Sequence, residues 1–129
     1  MTELTLFWNL GSQPGRAVKT LIDIAKIPCT FINVDILQRE QRTRPYLEMY
    51  PAGKIPVLKE KEFILGESGA IMIYLCERYP HVASYHGSSI EQKAKVNQYV
   101  AWYQNYFRPA LFKPIKMYLG SVLMNQPIY

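Results

Sequence analysis

Three short stretches hold most of the residues whose type and spacing could do chemistry. The first is Ser12-Gln13-Pro14-Gly15-Arg16-Ala17-Val18, where a proline suited to a first helical turn predicts a helix start. A hydroxyl at that place lies beside unpaired backbone N–H groups and the positive end of the helix dipole, which favour negative charge. It can donate a hydrogen bond to a thiolate. A free thiol with a pKa of about 8.5 is mostly protonated at neutral pH, and each unit of lowering needs about 1.4 kcal/mol. One charge-assisted hydrogen bond is worth roughly 1.5–3 kcal/mol, enough for about one to two units. Taken alone, the same serine reads first as an ordinary helix N-cap.

The second stretch, Gly53-Lys54-Ile55-Pro56-Val57-Leu58, sets a cation beside an X–Pro bond at the start of an apolar run. Its proline either begins a strand or occupies a cis turn. The third, Glu67-Ser68-Gly69-Ala70-Ile71, joins a strand to a helix. Glu67 can hold an ammonium group there, while Ser68 and the first helical amides can hold a carboxylate. An N-cap with an acidic neighbour accounts for the pair as well. Other reactive types are sparse. Cys29 and Cys76 are too far apart for a redox motif and read as small buried residues. His81 and His86 have no further ligand nearby and read as solvent-exposed, with no metal site.

The chain has 129 residues, 49% of them hydrophobic and 19% charged, which is ordinary for a globular protein. The net charge of +5 raises the question of nucleic acid, but the densest basic stretch, Arg39, Arg42 and Arg44, contains Glu40 and no interleaved aromatics. A basic, solvated surface suited to small anionic ligands is expected, with no nucleic-acid partner. The amino terminus lacks a basic, apolar leader, and no apolar run is long enough to span a membrane. A cytoplasmic location and no membrane partner are the expectation.

The elements that must position these residues follow from pattern. Leu4 to Trp8 is a β-prone run, and a helix is predicted from Pro14 to Lys26, ended by Pro28. Thr30 to Asp35 reads as a second strand with Phe31, Ile32 and Val34 as apolar members. A short helix is expected around Pro45 to Met49. Ile55–Leu58 and Glu62–Leu65 form a hairpin, and Glu67 and Ser68 open a helix that Pro80 closes. A polar linker precedes a new helix near Ser88 or Ser89, along which Val96, Tyr99, Val100, Tyr103, Phe107 and Leu111 lie at helical spacing. Trp102, Tyr103, Tyr106 and Phe107 are expected in its core, and the pattern weakens after Pro109 and Pro114. The order is β-α-β, a loop-helix, then β-β-α, with a mixed sheet.

Taken together, the three stretches and their spacing resemble the glutathione site of theta-class glutathione S-transferases. The resemblance includes Asn97 to Trp102 and runs from about Leu4 to the region of Gly120. It implies an α/β fold: a thioredoxin-like glutathione-binding domain over 1–80, a linker over 81–88, and over 89–129 the start of an all-α domain that is truncated here. It further implies a cis Ile55–Pro56 bond and a detoxifying enzyme that joins reduced glutathione to small hydrophobic electrophiles. In that reading Ser12 is the catalytic residue that stabilises the thiolate. Gln13, Gln41, Lys54, Ile55, Pro56, Glu67 and Ser68 bind glutathione. Glutathione is a co-substrate, no cofactor is needed, and the full-length form is a homodimer. The sequence departs from the family at Gln41, where histidine is usual, and at Gly15, where cysteine or serine is usual. The alternative is a non-catalytic glutathione-binding or protein-interaction module with a transferase-like fold, inactive because its helical domain is truncated.

Overall fold

Alternation along the strands decides which face of the sheet each side chain covers. A computed structural model describes residues 4–124. Strand β1 (Leu4–Trp8) pairs in parallel with β2 (Thr30–Asn33) and antiparallel with β3 (Val57–Glu60), and β3 pairs antiparallel with β4 (Phe63–Gly66). The order is β2-β1-β3-β4, a mixed four-stranded sheet of the thioredoxin-like kind. Leu4, Leu6 and Leu58 point to one face and pack with Val18 and Ile22 of α1 (Gln13–Ile24) and Ile71 and Leu75 of α3 (Ser68–Arg78). Phe7, Val57 and Ile64 point to the other face and pack with Val34 and with Tyr46 of α2 (Arg44–Met49). Helices therefore cover both faces, and the crossover between β1 and β2 is the parallel kind that needs an intervening helix.

The ends of α1 show how local chemistry sets boundaries. Ser12 caps the start, its Oγ accepting from the Gly15 N–H at 3.1 Å, with Pro14 in the first turn. Pro28 does not make the stop. Lys26 takes a left-handed conformation (φ 52°), its N–H donating to the Asp23 carbonyl at 3.1 Å, while the Ile27 N–H donates to the Ile22 carbonyl at 3.0 Å. These are the paired bonds of a Schellman motif, completed by apolar contact of Ile22 and Ile27 in the same core. The helix therefore closes at Ile24, before proline is reached. Glu60, the last residue of β3, is buried but not alone: the Tyr74 hydroxyl of α3 donates to it at 2.5 Å and Arg78 lies 3.4 Å away.

Two expectations for the segment after α3 are corrected. The stretch read as a linker forms a 3-10 helix, Pro80–Tyr85, that buries Val82 in the main core. His86, expected in solvent, is 5% exposed, and its Nδ1 lies 2.6 Å from Glu77 Oε1. His81 sends Nε2 to the Ala25 carbonyl at 2.7 Å. The polar composition suggested a solvated loop; His81 is exposed as expected, whereas His86 is buried against Glu77 of α3.

The chain divides into two compact units, Met1–His86 and Gly87–Tyr129. Within the second, Ser89 caps α4 (Ile90–Trp102), its Oγ accepting from the Gln92 N–H at 3.2 Å. A π-helical segment, Tyr103–Phe107, leads into α5 (Arg108–Met124). Pro109 is the second residue of α5 and Pro114 lies inside it, so the pattern continues further than expected. The aromatic run is not core: Trp102 is 45% exposed, Tyr106 71% and Phe107 46%. Its rings stack on one another instead, Trp102 and Phe107 with centroids 5.5 Å apart. No residue of α4 or of the π segment is fully buried.

Candidate functional site

All three chemical stretches leave the sheet at one end. Because β1 runs antiparallel to β3 and β3 antiparallel to β4, the C-terminal end of β1, the N-terminal end of β3 and the C-terminal end of β4 coincide. The register confirms it, with Phe7 opposite Val57 and Val57 opposite Gly66. Ser12 follows β1 by a short turn, Ile55 and Pro56 immediately precede Val57, and Glu67 immediately follows Gly66. Strand β2, parallel to β1, delivers the loop carrying Gln41 to the same end. The helices α1 and α3 both begin there, so two sets of unpaired backbone N–H groups face that end.

The turn before Ser12 is held by Asn9. Its Oδ1 accepts from the Gly11 N–H at 2.8 Å, and its Nδ2 donates to the Val34 carbonyl and to Asn33 Oδ1, each at 3.1 Å. The end of β2 thus braces the loop that presents the serine. Ser12 is half-buried, and its cap bond uses one lone pair of Oγ. A hydroxyl also carries one proton and a second lone pair, so capping leaves the O–H free to donate elsewhere. Capping and thiolate stabilisation are compatible roles of one atom. Gly15 is buried, and an added Cβ would stand 3.1 Å from Ser12 Oγ and 3.2 Å from Ser12 Cβ, so glycine leaves the serine uncrowded. Gln13, first in α1, is half-buried.

Gln41 lies in a 3-10 turn, Glu40–Arg42, entered through Arg39 in a left-handed conformation (φ 59°). This turn folds onto Gly53, where φ is +57°. A side chain there would meet Leu47 Cδ2 at 2.9 Å and Arg42 Nη1 and the Gln41 carbonyl at 3.0 Å. Gln41 and Arg42 are thereby brought beside Lys54. Gln41 Oε1 is buried without a hydrogen-bond partner, a group whose desolvation is uncompensated. A half-turn of the amide would present its NH2 donors at the same spot. Lys54 has an exposed side chain and a backbone carbonyl pinned by the Tyr46 hydroxyl at 2.8 Å. Burial, and then its neighbour Tyr50, push the Tyr46 hydroxyl well above its ordinary pKa, so it stays a donor. The Ile55–Pro56 bond is cis, with Pro56 buried and Ile55 half-buried.

Glu67 is exposed and occupies φ 64°, ψ 111°, a region that costs a non-glycine residue roughly 1–3 kcal/mol. Its carboxylate makes no capping bond, while its carbonyl accepts from the Ile71 N–H at 2.9 Å. Ser68 is half-buried as the first residue of α3.

The cysteines stand apart from this end. Cys29 precedes β2 and so lies at the opposite end of the sheet; its thiol donates to the Thr30 carbonyl at 3.4 Å. Burial pushes that thiol up to about 11, which keeps it protonated and unreactive at neutral pH. Cys76 is buried in α3, and its thiol is also raised by burial and by Glu77. Among the described residues no three His, Cys, Asp or Glu side chains gather as for a metal, and no helix is long and apolar enough to cross a membrane. One residue beside the site escaped the sequence reading: Tyr50 sits between the stretches as the C-cap of α2, and only its place in space marks it.

Residues 6–89 match the family described as glutathione S-transferase, N-terminal domain. The chain is 34% identical to human glutathione S-transferase theta-2 over 87% of its own length and 46% of the relative's. It is 35% identical to Arabidopsis thaliana glutathione S-transferase F10 over 96% of its length and 58% of the relative's. A crystal structure of human glutathione transferase theta-2, complexed with glutathione and an unknown ligand, superposes with a TM-score of 0.83 at 33% identity, covering 88% of this chain and 47% of that one. The chain spans about half the length of the curated relatives it matches.

Proposed function

The chain belongs to the glutathione S-transferase family and resembles its theta class, and from that premise we propose that it binds reduced glutathione where its three chemical stretches converge. That convergence, with two helix N-termini facing one end of the sheet, is the observation that carries the reading. Glu67 holds the ligand's α-ammonium, and Ser68 with the first amides of α3 holds its α-carboxylate. The main chain of Ile55, ahead of Pro56, pairs with the cysteinyl unit as an added strand would. Lys54 and the NH2 of Gln41 meet the glycine carboxylate, and Gln13 lines the cysteinyl end.

In the full-length protein, the glutathione sulfur attacks an electrophilic carbon of a small hydrophobic substrate. The thiol first releases its proton to solvent. The thiolate then forms the new C–S bond while a group such as halide departs with its electron pair. The Ser12 O–H donates to the thiolate and holds its pKa down, so that more of the bound ligand is reactive at neutral pH. Glutathione is consumed as a co-substrate, and no cofactor takes part. The full-length form acts as a cytoplasmic homodimer engaged in detoxification. The second reading is a glutathione-binding or protein-interaction module without turnover.

Ser12→Ala tests the central role. The ultraviolet absorbance of bound thiolate, titrated against pH, should show a midpoint raised by about one unit or more. Affinity should change little, because the peptide contacts lie elsewhere. Equal midpoints would reduce Ser12 to a cap worth about 1 kcal/mol. Turnover assays of this chain with glutathione and a panel of electrophiles separate the enzyme from the binding module.

A further inference from the structure

Gly66, the residue before Glu67, has its open side filled by Tyr50. A Cβ added at Gly66 would overlap the Tyr50 hydroxyl oxygen and Cζ and would lie 2.7 Å from Cε2. The phenol end therefore rests on the backbone at the corner where the chain turns into Glu67. The rest of Tyr50 is anchored. Its N–H donates to the Tyr46 carbonyl at 2.7 Å, its carbonyl accepts from the Gly53 N–H at 3.0 Å, and its ring packs with Val34, Tyr46 and Val57. Tyr50 thus spans from the Gly53-Lys54 turn to the Gly66-Glu67 corner. Its phenol hydroxyl carries one proton to donate. Burial raises the pKa of the hydroxyl, and the Glu67 carboxylate raises it further, which agrees with the two groups lying close together and keeps the phenol protonated.

We propose that Tyr50 is a positioning residue for the γ-glutamyl end of glutathione: seated on Gly66, its hydroxyl turns the Glu67 carboxylate toward the ligand's α-ammonium group. The inference rests on the glutathione-binding reading above. A phenol donor suits the task because it restrains a carboxylate without neutralising it, leaving the second oxygen to the ammonium. Glu67 is exposed and has no capping bond to fix it, so a neighbouring donor limits the orientations it samples. The side-chain seat exists only because residue 66 has no Cβ.

Calorimetric titration of the full chain tests it with two ligands: glutathione, and glutaryl-cysteinylglycine, which replaces the α-ammonium by hydrogen. Tyr50→Phe keeps the ring and its packing. It should weaken glutathione by about three- to tenfold and leave the des-amino ligand unchanged. In a Glu67→Gln background the same substitution should change glutathione affinity by less than about twofold, since partners in one hydrogen-bonded unit are not additive. Equal weakening of both ligands would make Tyr50 a packing residue and overturn the proposal. Unchanged glutathione affinity in Tyr50→Phe would overturn it too, while the glutathione reading stands. A wild-type chain with no affinity for glutathione would remove both, and the first titration reveals that.

Discussion

Oxygen and sulfur atoms of the same elementary types take opposite roles here because of where they sit. The Ser12 hydroxyl stands at a helix N-terminus with its proton unspent, whereas the Cys29 thiol is desolvated at the far end of the sheet. Burial, the largest cause, lifts Cys29 from 9.0 to about 11. A group whose folded pKa is raised binds its proton more tightly in the folded than in the unfolded chain. Its contribution to stability is therefore full below pH 9 and is lost as pH rises through about 11. Tyr46, raised in the same way, adds a loss of the same sign above pH 10. Denaturant midpoints measured across this range should fall steadily, and Cys29→Ala should flatten the lower part of the slope. Alkylation by iodoacetamide at neutral pH should leave Cys29 almost unmodified in the folded chain. Rapid labelling of Cys29 there would mean that the thiol is not desolvated.

At the scale of elements, the loops matter more than the helices and strands they join. Gly53 shows this. Its φ of +57° and its contacts with Leu47, Arg42 and the Gln41 carbonyl hold the 3-10 turn against Lys54. Gly53→Ala places a Cβ in a left-handed conformation and against a backbone oxygen, and should cost about 1–3 kcal/mol. Because Gln41 would be pushed away from Lys54, glutathione affinity should fall as well. Urea unfolding and calorimetry on the same variant check both effects. A destabilised variant with unchanged affinity would separate the 3-10 turn from the ligand site. The boundaries of this region were legible in the sequence, since Pro45 and the Pro51-Ala52-Gly53 turn bracket α2 closely. That the 3-10 turn lies against Gly53 was not legible, because contacts across a loop leave no periodic mark.

For the whole molecule, the two units differ in how much they bury. The first carries Leu6, Val18, Val57, Leu58, Ile71 and Leu75 with no exposed surface, while α4 contains no fully buried residue. Opening free energy follows buried apolar contact, so amide hydrogens of β1, β3 and α3 should exchange slowest and those of α4 and the π segment fastest. Exchange followed by mass spectrometry of proteolytic fragments measures this. Protection in α4 equal to that in β3 would show that α4 draws stability from contacts beyond its own exposed faces.

Sequence by itself determined the features that act over a few residues. Ser12 caps a helix, prolines suit first turns, and short β-prone runs mark β1 and the β3–β4 pair. The three chemical stretches and their spacing also identified the family, because ligand-binding loops keep residue types that a fold alone does not require. Tertiary structure decided everything that depends on distant partners. It ended α1 by a Schellman motif two residues earlier than its composition implied and buried His86 against Glu77. It left Trp102 and Phe107 nearly half exposed on helices whose spacing promised a core. It also seated Tyr50 on Gly66, beside a carboxylate 17 positions away in sequence. The physical reason is the range of each force. Capping, chain stiffness and side-chain periodicity are settled by neighbours along the chain, but burial and pairing are settled only once the sheet has brought remote segments to one end.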